Sequence, residues 1–271
     1  MRITALLENT TVNTALKPKH GLSIYIETNN HKILFDLGPD DTCLNNAQAL
    51  GIDLAEVDTV VISHGHYDHG GALANFIKIN DKAKLYLRRQ AFEPHYHKRL
   101  FIKKYIGLDP ELSDNDRIIF ADAAMRIDDE LFLFSDIEGQ PDTKSSRALL
   151  KKTSAGYARD DFTHEQSLIV TEGDSAALFS GCSHRGISNI LRAADRHQSK
   201  IQAVFGGFHL FNPATNAVEQ PEMVERLANE LSKRDTVFYT CHCTGKSAFD
   251  TMRGIMGNKI QYLSTGSVVE L

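Results

Sequence analysis

The sequence is poor in cysteine, and it has no long apolar run and no excess of positive charge. Four cysteines in 271 residues are too few and too scattered for a disulfide framework, which indicates a reducing, cytoplasmic compartment. No run of about 18 apolar residues occurs, so we expect no transmembrane helix, and the N-terminus lacks the apolar stretch of a signal peptide. The formal net charge of −5 argues against broad binding to nucleic acid or to an anionic membrane.

Short apolar segments that alternate with turn residues predict a mixed α/β chain. The β-branched run 58–63 is typical of a buried strand. Segment 86–160 is charged and irregular, and we interpret it as a mixed insertion of helix, loop and strand, with its clearest strand at 131–134. No repeat or linker divides the chain, so one α/β domain over 1–271 is the simplest interpretation. The other predicted elements are hairpins at 22–28 with 32–36 and at 167–171 with 176–180, helices at 41–50, 71–77, 187–197, 222–234 and 248–256, and strands at 201–205, 236–240, 260–263 and 267–271.

The segment from His64 to His69 carries the strongest chemical signal, because it follows the predicted strand 58–63 directly. His64 and His66 lie two residues apart, so their imidazoles project to one side of an extended chain. Asp68 and His69 follow on the turn and can reach a second position. Imidazoles with one carboxylate suit two divalent cations that share a solvent ligand. The tight loop is permitted by three glycines, Gly65, Gly70 and Gly71.

The motif resembles the His-x-His-x-Asp-His signature of the metallo-β-lactamase superfamily. Phe35-Asp36-Leu37-Gly38 looks like that family's buried strand, whose aspartate commonly supports the metal site. The run 177–181 looks like the strand that in most members ends in a metal-bridging aspartate, and Cys182 stands at that position here. The resemblance covers most of the chain. It implies a four-layer αββα sandwich and a metal-dependent hydrolase that uses a metal-bound hydroxide on a small molecule.

Several further motifs are similar to one branch of this superfamily. They are Gly-Cys-Ser-His-Arg-Gly-Ile at 181–187, Gly-Gly-Phe-His-Leu at 206–210, Cys-His-Cys-Thr-Gly at 241–245 and His-Gly-Leu-Ser at 20–23. The branch is that of the 7,8-dihydropterin-6-methyl-4-(β-D-ribofuranosyl)aminobenzene 5′-phosphate synthases. This similarity implies a phosphate- or pterin-bearing substrate.

The remaining metal ligands have competing candidates. His164 occupies the position where many members carry the third histidine, but the branch similarity favours His184. His209 and His242 each follow an apolar strand, where the family's last histidine lies. We favour His242 as the ligand and expect His209 to hold substrate, donate a proton or join the metal shell. For Cys182, a thiolate ligand and a buried small residue both remain open.

The resulting assignment places two divalent metal ions in one site, with zinc as the default and manganese or iron as alternatives. Asp68 would bind one ion and orient the attacking water. On an extended strand, Cys241 and Cys243 would face away from His242, and we expect both to be buried for structural reasons. The assigned ligands are His64, His66 and His184 for the first ion and Asp68, His69 and His242 for the second, with Cys182 as a further candidate.

Within segment 86–160, two other histidines share the two-residue spacing. His95 and His97 have no strand context or acidic partner, so a surface loop is expected for them, with a substrate pocket as the alternative. The basic clusters 98–99 and 103–104 are expected to coat a solvated face.

Two other functions fit the same motif. An iron-based redox enzyme would use a similar ligand set, and a non-catalytic metal-binding module would keep the metal without turnover, although Asp68 is retained. A nuclease is disfavoured by the acidic balance of the chain. The expected partner is therefore a small molecule, with homo-oligomer formation left open.

Overall fold

A computed structural model describes residues 1–139, 143–212 and 215–271. The strands in chain order are β1 (Arg2–Leu7), β2 (Ser23–Glu27), β3 (Lys32–Phe35), β4 (Thr59–Val61), β5 (Lys84–Leu87), β6 (His95–Arg99), β7 (Ile102–Tyr105), β8 (Ile118–Phe120), β9 (Ala124–Arg126), β10 (Leu131–Phe134), β11 (Leu149–Thr153), β12 (Gly156–Arg159), β13 (Ser167–Glu172), β14 (Ser175–Ser180), β15 (Ala203–Gly206), β16 (Phe211–Asn212), β17 (Ala217–Val218), β18 (Val237–Thr240), β19 (Ile260–Tyr262) and β20 (Val268–Glu270). The α-helices are α1 (Thr42–Ala49), α2 (Tyr67–Gly70), α3 (Leu73–Ile79), α4 (Ile187–His197), α5 (Pro221–Leu231) and α6 (Lys246–Met256).

Two seven-stranded sheets form the centre of the molecule. The first has the order β20-β1-β2-β3-β4-β5-β8, and the second has the order β19-β18-β15-β14-β13-β10-β9. Strands β3, β4, β5 and β8 run parallel in the first sheet, and β14, β15, β18 and β19 run parallel in the second. Parallel neighbours end at the same edge of a sheet, so each sheet presents several strand ends side by side.

The β2–β3 hairpin shows how the sequence pattern selects a face of the first sheet. Ile24 pairs with Phe35, and Tyr25 pairs with Leu34. Ile24 and Phe35 pack between the two sheets, whereas Tyr25 and Leu34 pack against helices on the outer face. Because side chains alternate along a strand and both faces are buried, the hairpin is apolar almost throughout.

Helices cover the outer face of each sheet. Helices α1 and α3 pack on the first sheet, and α4, α5 and α6 pack on the second. In α4 the buried positions Ile187, Ile190, Leu191 and Ala194 follow the spacing of one helical face. Helix, sheet, sheet and helix therefore form four layers, and the predicted αββα fold is confirmed.

Most of the predicted elements are present, with shifted ends. Helix α4 has the predicted bounds, whereas the helix predicted over 222–234 ends at Leu231. Strand β1 and the short helix α2 within the histidine motif were not predicted. Among the described residues, no helix combines the length and apolarity needed to cross a membrane.

The segment 86–160 consists mainly of strands, which extend the two central sheets through β8, β9 and β10 and also form an additional sheet. In its described part, the strand predicted at 131–134 is present as β10, short 3-10 turns occur, and no α-helix does. A four-stranded sheet, β12-β11-β6-β7, comes entirely from this segment. It carries residues that lie beside the histidine motif.

Phe76 tests the packing of α3 on the first sheet, because its side chain is fully buried there. Phe76→Ala should lower the free energy of unfolding by about 3–5 kcal/mol, through lost burial and a cavity. Urea denaturation of the metal-free protein measures this change. Phe101→Ala is the control, since Phe101 is 97% exposed, and it should change the stability by less than about 0.5 kcal/mol. Equal losses in both variants would contradict the described packing.

Candidate metal centre

The histidine motif lies where strand ends from both sheets meet. In open α/β sheets, ligands commonly bind beyond the carboxyl ends of the parallel strands. The polar residues that follow these strands are Asp36 after β3, His64 to His69 after β4, Cys182 and His184 after β14, His209 after β15 and His242 after β18.

At four of these strand ends, one residue adopts the left-handed backbone conformation. Asp36, Ser183, His209 and His242 have φ values of 62°, 55°, 49° and 51°. This region of backbone space is uncommon for residues with a side chain, and such residues cluster at functional sites. The turns redirect the side chains from the strand direction toward a common centre.

The first group of donors comprises His64, His66 and His184, whose ligand atoms lie within 4.8 Å of one another. The Nε2 atoms of His64 and His184 are 3.3 Å apart. Ser63 Oγ donates to Asp36 and lies 2.8 Å from His64 Nδ1, so it accepts a hydrogen bond from the N–H of that nitrogen. His64 Nε2 is thereby left with a lone pair. His66 Nε2 and His184 Nδ1 are buried, with no hydrogen-bond partner in the described chain.

The second group surrounds His69 and His242, whose Nε2 atoms are 3.3 Å apart. His69 Nδ1 lies 2.6 Å from the Asp36 carboxylate and donates to it. His242 Nδ1 donates to Asn9 Oδ1 at 3.0 Å, because the amide of Asn9 donates to the His242 carbonyl. Asp68 Oδ2 is 3.5 Å from His242 Nε2. The two Nε2 atoms therefore face each other and the Asp68 carboxylate.

Cys182 lies between the two groups. Its Sγ atom is 3.2 Å from His69 Nε2. The same atom lies within 4.8 Å of donor atoms of His184 and His209, and within the same distance of donor atoms of His242 and Cys243. This is the position that the sequence comparison with the superfamily indicated for a bridging residue.

The prediction that Cys243 faces away from the site is wrong. Both Cys241 and Cys243 are buried as expected, but Cys243 does not face away from the site, because its donor atom groups with those of Cys182 and His242. Strand β18 ends at Thr240, and a 3-10 turn over His242–Thr244 replaces the extended chain that the prediction assumed.

The arrangement of the nitrogens fits divalent metal ions. Burial, followed by the neighbouring imidazoles, lowers the pKa of His64 and His184 well below the usual value, so both are neutral. Burial also acts on His69, but the Asp36 carboxylate outweighs it and raises the pKa of His69 to about 9. Two facing imidazole nitrogens need a proton or a metal cation between them, because facing lone pairs repel one another. A metal ion at the second group would have to displace a proton from His69.

His164 has a different environment from His184. Its Nδ1 atom accepts a hydrogen bond from the Gly65 amide at 2.9 Å, and its Nε2 atom lies 3.3 Å from Asp160. Both nitrogens are engaged, and one of them supports the backbone of the histidine motif.

The surface-loop prediction for His95 and His97 is wrong. His95 is fully buried, its Nδ1 atom lies 2.8 Å from Asp160, and its Nε2 atom lies 3.1 Å from the Gln90 carbonyl. The acidic partner is 65 residues away in sequence, which is why the local pattern did not reveal it. His97 lines the cavity beside the metal donors.

Glu165 and Gln166, which directly follow His164, support the site. Glu165 accepts hydrogen bonds from the backbone amides of His184 and Arg185, at 2.6 and 2.8 Å. Gln166 donates to the Ile62 carbonyl at 2.9 Å, next to the start of the motif. Burial raises the pKa of Glu165 to about 7. These contacts link β13 to the loops that carry both groups of donors.

His20 is a site residue that the residue patterns did not single out. Its Nε2 atom donates to Asp68 Oδ2 at 3.2 Å, and its ring centroid lies 4.7 Å from that of His242. Burial alone would raise the pKa of Asp68. The hydrogen bonds from His20 and His242 outweigh burial and hold this pKa well below its usual range. A Cβ atom at Gly21 would lie 2.6 Å from the Asp68 carbonyl, so glycine permits this close approach.

Comparison with known proteins identifies the family of this chain. The family model of the metallo-β-lactamase superfamily matches residues 16–150. The chain belongs to this superfamily, and it has the fold of the superfamily's metal-dependent hydrolases.

Three relatives match almost end to end. The crystal structure of Tm1679, a metal-dependent hydrolase of the β-lactamase superfamily, is 28% identical, with a TM-score of 0.83 over 100% of this chain and 99% of that one. An uncharacterised protein of Methanocaldococcus jannaschii is 27% identical over 95% of this chain and 96% of its own length. The 7,8-dihydropterin-6-methyl-4-(β-D-ribofuranosyl)-aminobenzene-5′-phosphate synthase of the same organism is 26% identical over 95% and 92%.

Gly65 tests how tightly the motif is packed, because an added Cβ atom would meet the backbone of Ala91. Gly65→Ala should lower the free energy of unfolding of the metal-free protein by about 1–3 kcal/mol, since backbone must shift. The control is Gly254→Ala in α6, where no atom lies within 4 Å of the added Cβ. That variant should gain about 0.5–1 kcal/mol in thermal or urea unfolding. A neutral Gly65→Ala would show that the loop is looser than described.

Proposed function

We propose that this protein is a metal-dependent hydrolase that binds two divalent ions at the strand ends of both sheets. The observation that carries the proposal is the pair of facing imidazole contacts, His64 with His184 and His69 with His242, each 3.3 Å between Nε2 atoms. Hydrogen bonds at the Nδ1 atoms of His64, His69 and His242 direct their Nε2 atoms inward, as is usual for metal-binding histidines.

The donors divide into two sets. The environment of His184 supports it as the third histidine of the first set, since both nitrogens of His164 have other partners. The contacts of His242 with His69 and Asp68 support His242 over His209 in the second. Imidazole and thiol donors favour zinc over harder cations. The proposed ligands are His64, His66 and His184 for one ion, Asp68, His69 and His242 for the other, and Cys182 between them.

Divalent ions held there would activate water at neutral pH and polarise the substrate oxygen. Asp68 would orient the attacking water, and His20 holds the same carboxylate by its hydrogen bond. His209 is buried, its ring centroid is 4.3 Å from that of His184, and it lines the cavity. It is therefore positioned to contact substrate or to donate a proton to the leaving group.

The substrate is proposed to be a small molecule that bears a phosphate or a pterin. The cavity has a volume of about 300 Å³, which suits a metabolite rather than a polymer. The name of the synthase relative contains both groups. Zinc, the binuclear site and a cytoplasmic location belong to the same proposal.

Metal content tests the ligand assignment. The purified protein should contain about two metal ions per chain by elemental analysis. His184→Ala should lose at least one of them, whereas His164→Ala should keep both, because the Gly65 amide and Asp160 already engage the two nitrogens of His164. Circular dichroism of each variant checks that it is folded. Metal content near zero after reconstitution with zinc would refute the proposal, and metal loss in His164→Ala alone would reverse the ligand choice.

Hydrolysis tests the catalytic role of Asp68. The zinc-loaded protein should cleave at least one reporter among p-nitrophenyl phosphate, bis(p-nitrophenyl) phosphate and a chromogenic lactone. Asp68→Asn should lower kcat by about 100-fold or more, since the variant cannot accept a proton. Asp58→Asn is the control, because Asp58 pairs with His31 on the surface at 3.0 Å. Metal-loaded protein that cleaves no reporter, or an Asp68→Asn variant as active as the control, would contradict the proposal.

A further inference from the structure

The cavity above the metal donors has a second wall that the proposed metal chemistry does not use. The wall is formed by the hairpin of β6 and β7, from the additional sheet. His97, Lys104 and Ile106 of this hairpin line the cavity together with Tyr67 and Leu149.

Strand register directs two basic side chains into this cavity. His97 pairs with Lys104 across the hairpin, so both side chains project from the same face. Lys103, the neighbour of Lys104, projects from the opposite face, where its Nζ atom lies 4.5 Å from the centre of the Tyr157 ring. Lys103 and Lys104 therefore have different environments although they are adjacent in sequence. Both lysines are exposed, as the prediction of a solvated face expects, but only Lys104 also lines the cavity.

The hairpin is fixed to the histidine motif by main-chain hydrogen bonds. The Tyr67 amide donates to the Ile106 carbonyl at 2.8 Å, and the Ile106 amide donates to the His95 carbonyl at 2.9 Å. The His95 side chain is held in turn by Asp160. Because Tyr67 directly precedes Asp68, the basic face is held at a defined distance from the metal donors.

The basic face lacks a neutralising carboxylate. Lys104 forms no ion pair with any residue in the described part of the chain, and its Nζ atom lies 5.7 Å from the centre of the Tyr67 ring. His97 Nε2 is buried without a hydrogen-bond partner in the described ranges. Burial, followed by the neighbouring side chains of Arg99, His209 and Lys104, lowers the pKa of His97. The chain as a whole is acidic, with a net charge of −5.

We propose that Lys104 and His97 form a binding subsite for a phosphate group of the substrate, distinct from the metal donors. The subsite rests on the proposed function, because it specifies which end of the substrate the hairpin holds while another bond reaches the metal centre. A compact ammonium group and an unpaired imidazole N–H suit the several acceptor oxygens of a phosphate. Tyr67, Ile106 and Leu149 supply apolar surface for the body of the same molecule.

Calorimetric titration of the zinc-loaded protein with ribose 5-phosphate, and with ribose as the phosphate-free counterpart, tests the subsite. Lys104→Ala should weaken binding of ribose 5-phosphate by about tenfold or more, and His97→Ala by about three- to tenfold. Binding of ribose should be equally weak in all variants. Lys103→Ala is the matched control and should bind ribose 5-phosphate as the unmodified protein does.

Two results would overturn the subsite. If Lys104→Ala binds ribose 5-phosphate as well as the unmodified protein, the phosphate binds elsewhere, including directly at the metal ions. If Lys103→Ala weakens binding as much as Lys104→Ala, the effect is one of overall charge. Metal content and reporter hydrolysis of the unmodified protein, measured separately, decide the proposed function. A Lys104-dependent affinity without hydrolysis would therefore keep the subsite and refute the hydrolase.

Discussion

The buried carboxylate of Asp36 connects the end of β3 to the histidine motif after β4. One oxygen accepts from the Ser63 amide at 2.7 Å, and the other contacts Ser63 Oγ at 2.7 Å and His69 Nδ1 at 2.6 Å. A buried charge is unfavourable unless it is paired and hydrogen-bonded, and these contacts satisfy Asp36. Through Ser63 it also orients His64, so a donor in each of the two groups depends on one carboxylate.

Each facing pair of imidazoles joins the two sheets. His64 and His69 follow a strand of the first sheet, whereas His184 and His242 follow strands of the second. The spacing of the pairs is therefore set by the packing of large apolar side chains between the sheets, such as Phe35 against Phe179 at 5.9 Å between ring centroids. A metal bound by both sheets would in turn stabilise their packing, because ligands that bind only the folded state favour it.

Local sequence patterns were sufficient to predict most helices and strands and to identify the histidine motif. Helix α4 and strand β10 have the predicted bounds because their apolar spacing and turn residues are strong. Strand β1 was missed because it is buried on both faces and shows no alternation. The misassigned His95 has its acidic partner, Asp160, far away in the chain, and no local pattern contains that pairing.

The sequence by itself determined the run from His64 to His69, because that run depends on short spacings along one strand and its loop. The resemblance that this run carries then implied the superfamily and its αββα layers. Tertiary structure decided which distant residues join that run. It brought His184, His242, His20 and Cys243 to the same centre, and directed Lys104 into the cavity. The physical reason is that left-handed turns at the strand ends and the register of the β6–β7 hairpin set side-chain directions, and both depend on contacts between segments far apart in sequence.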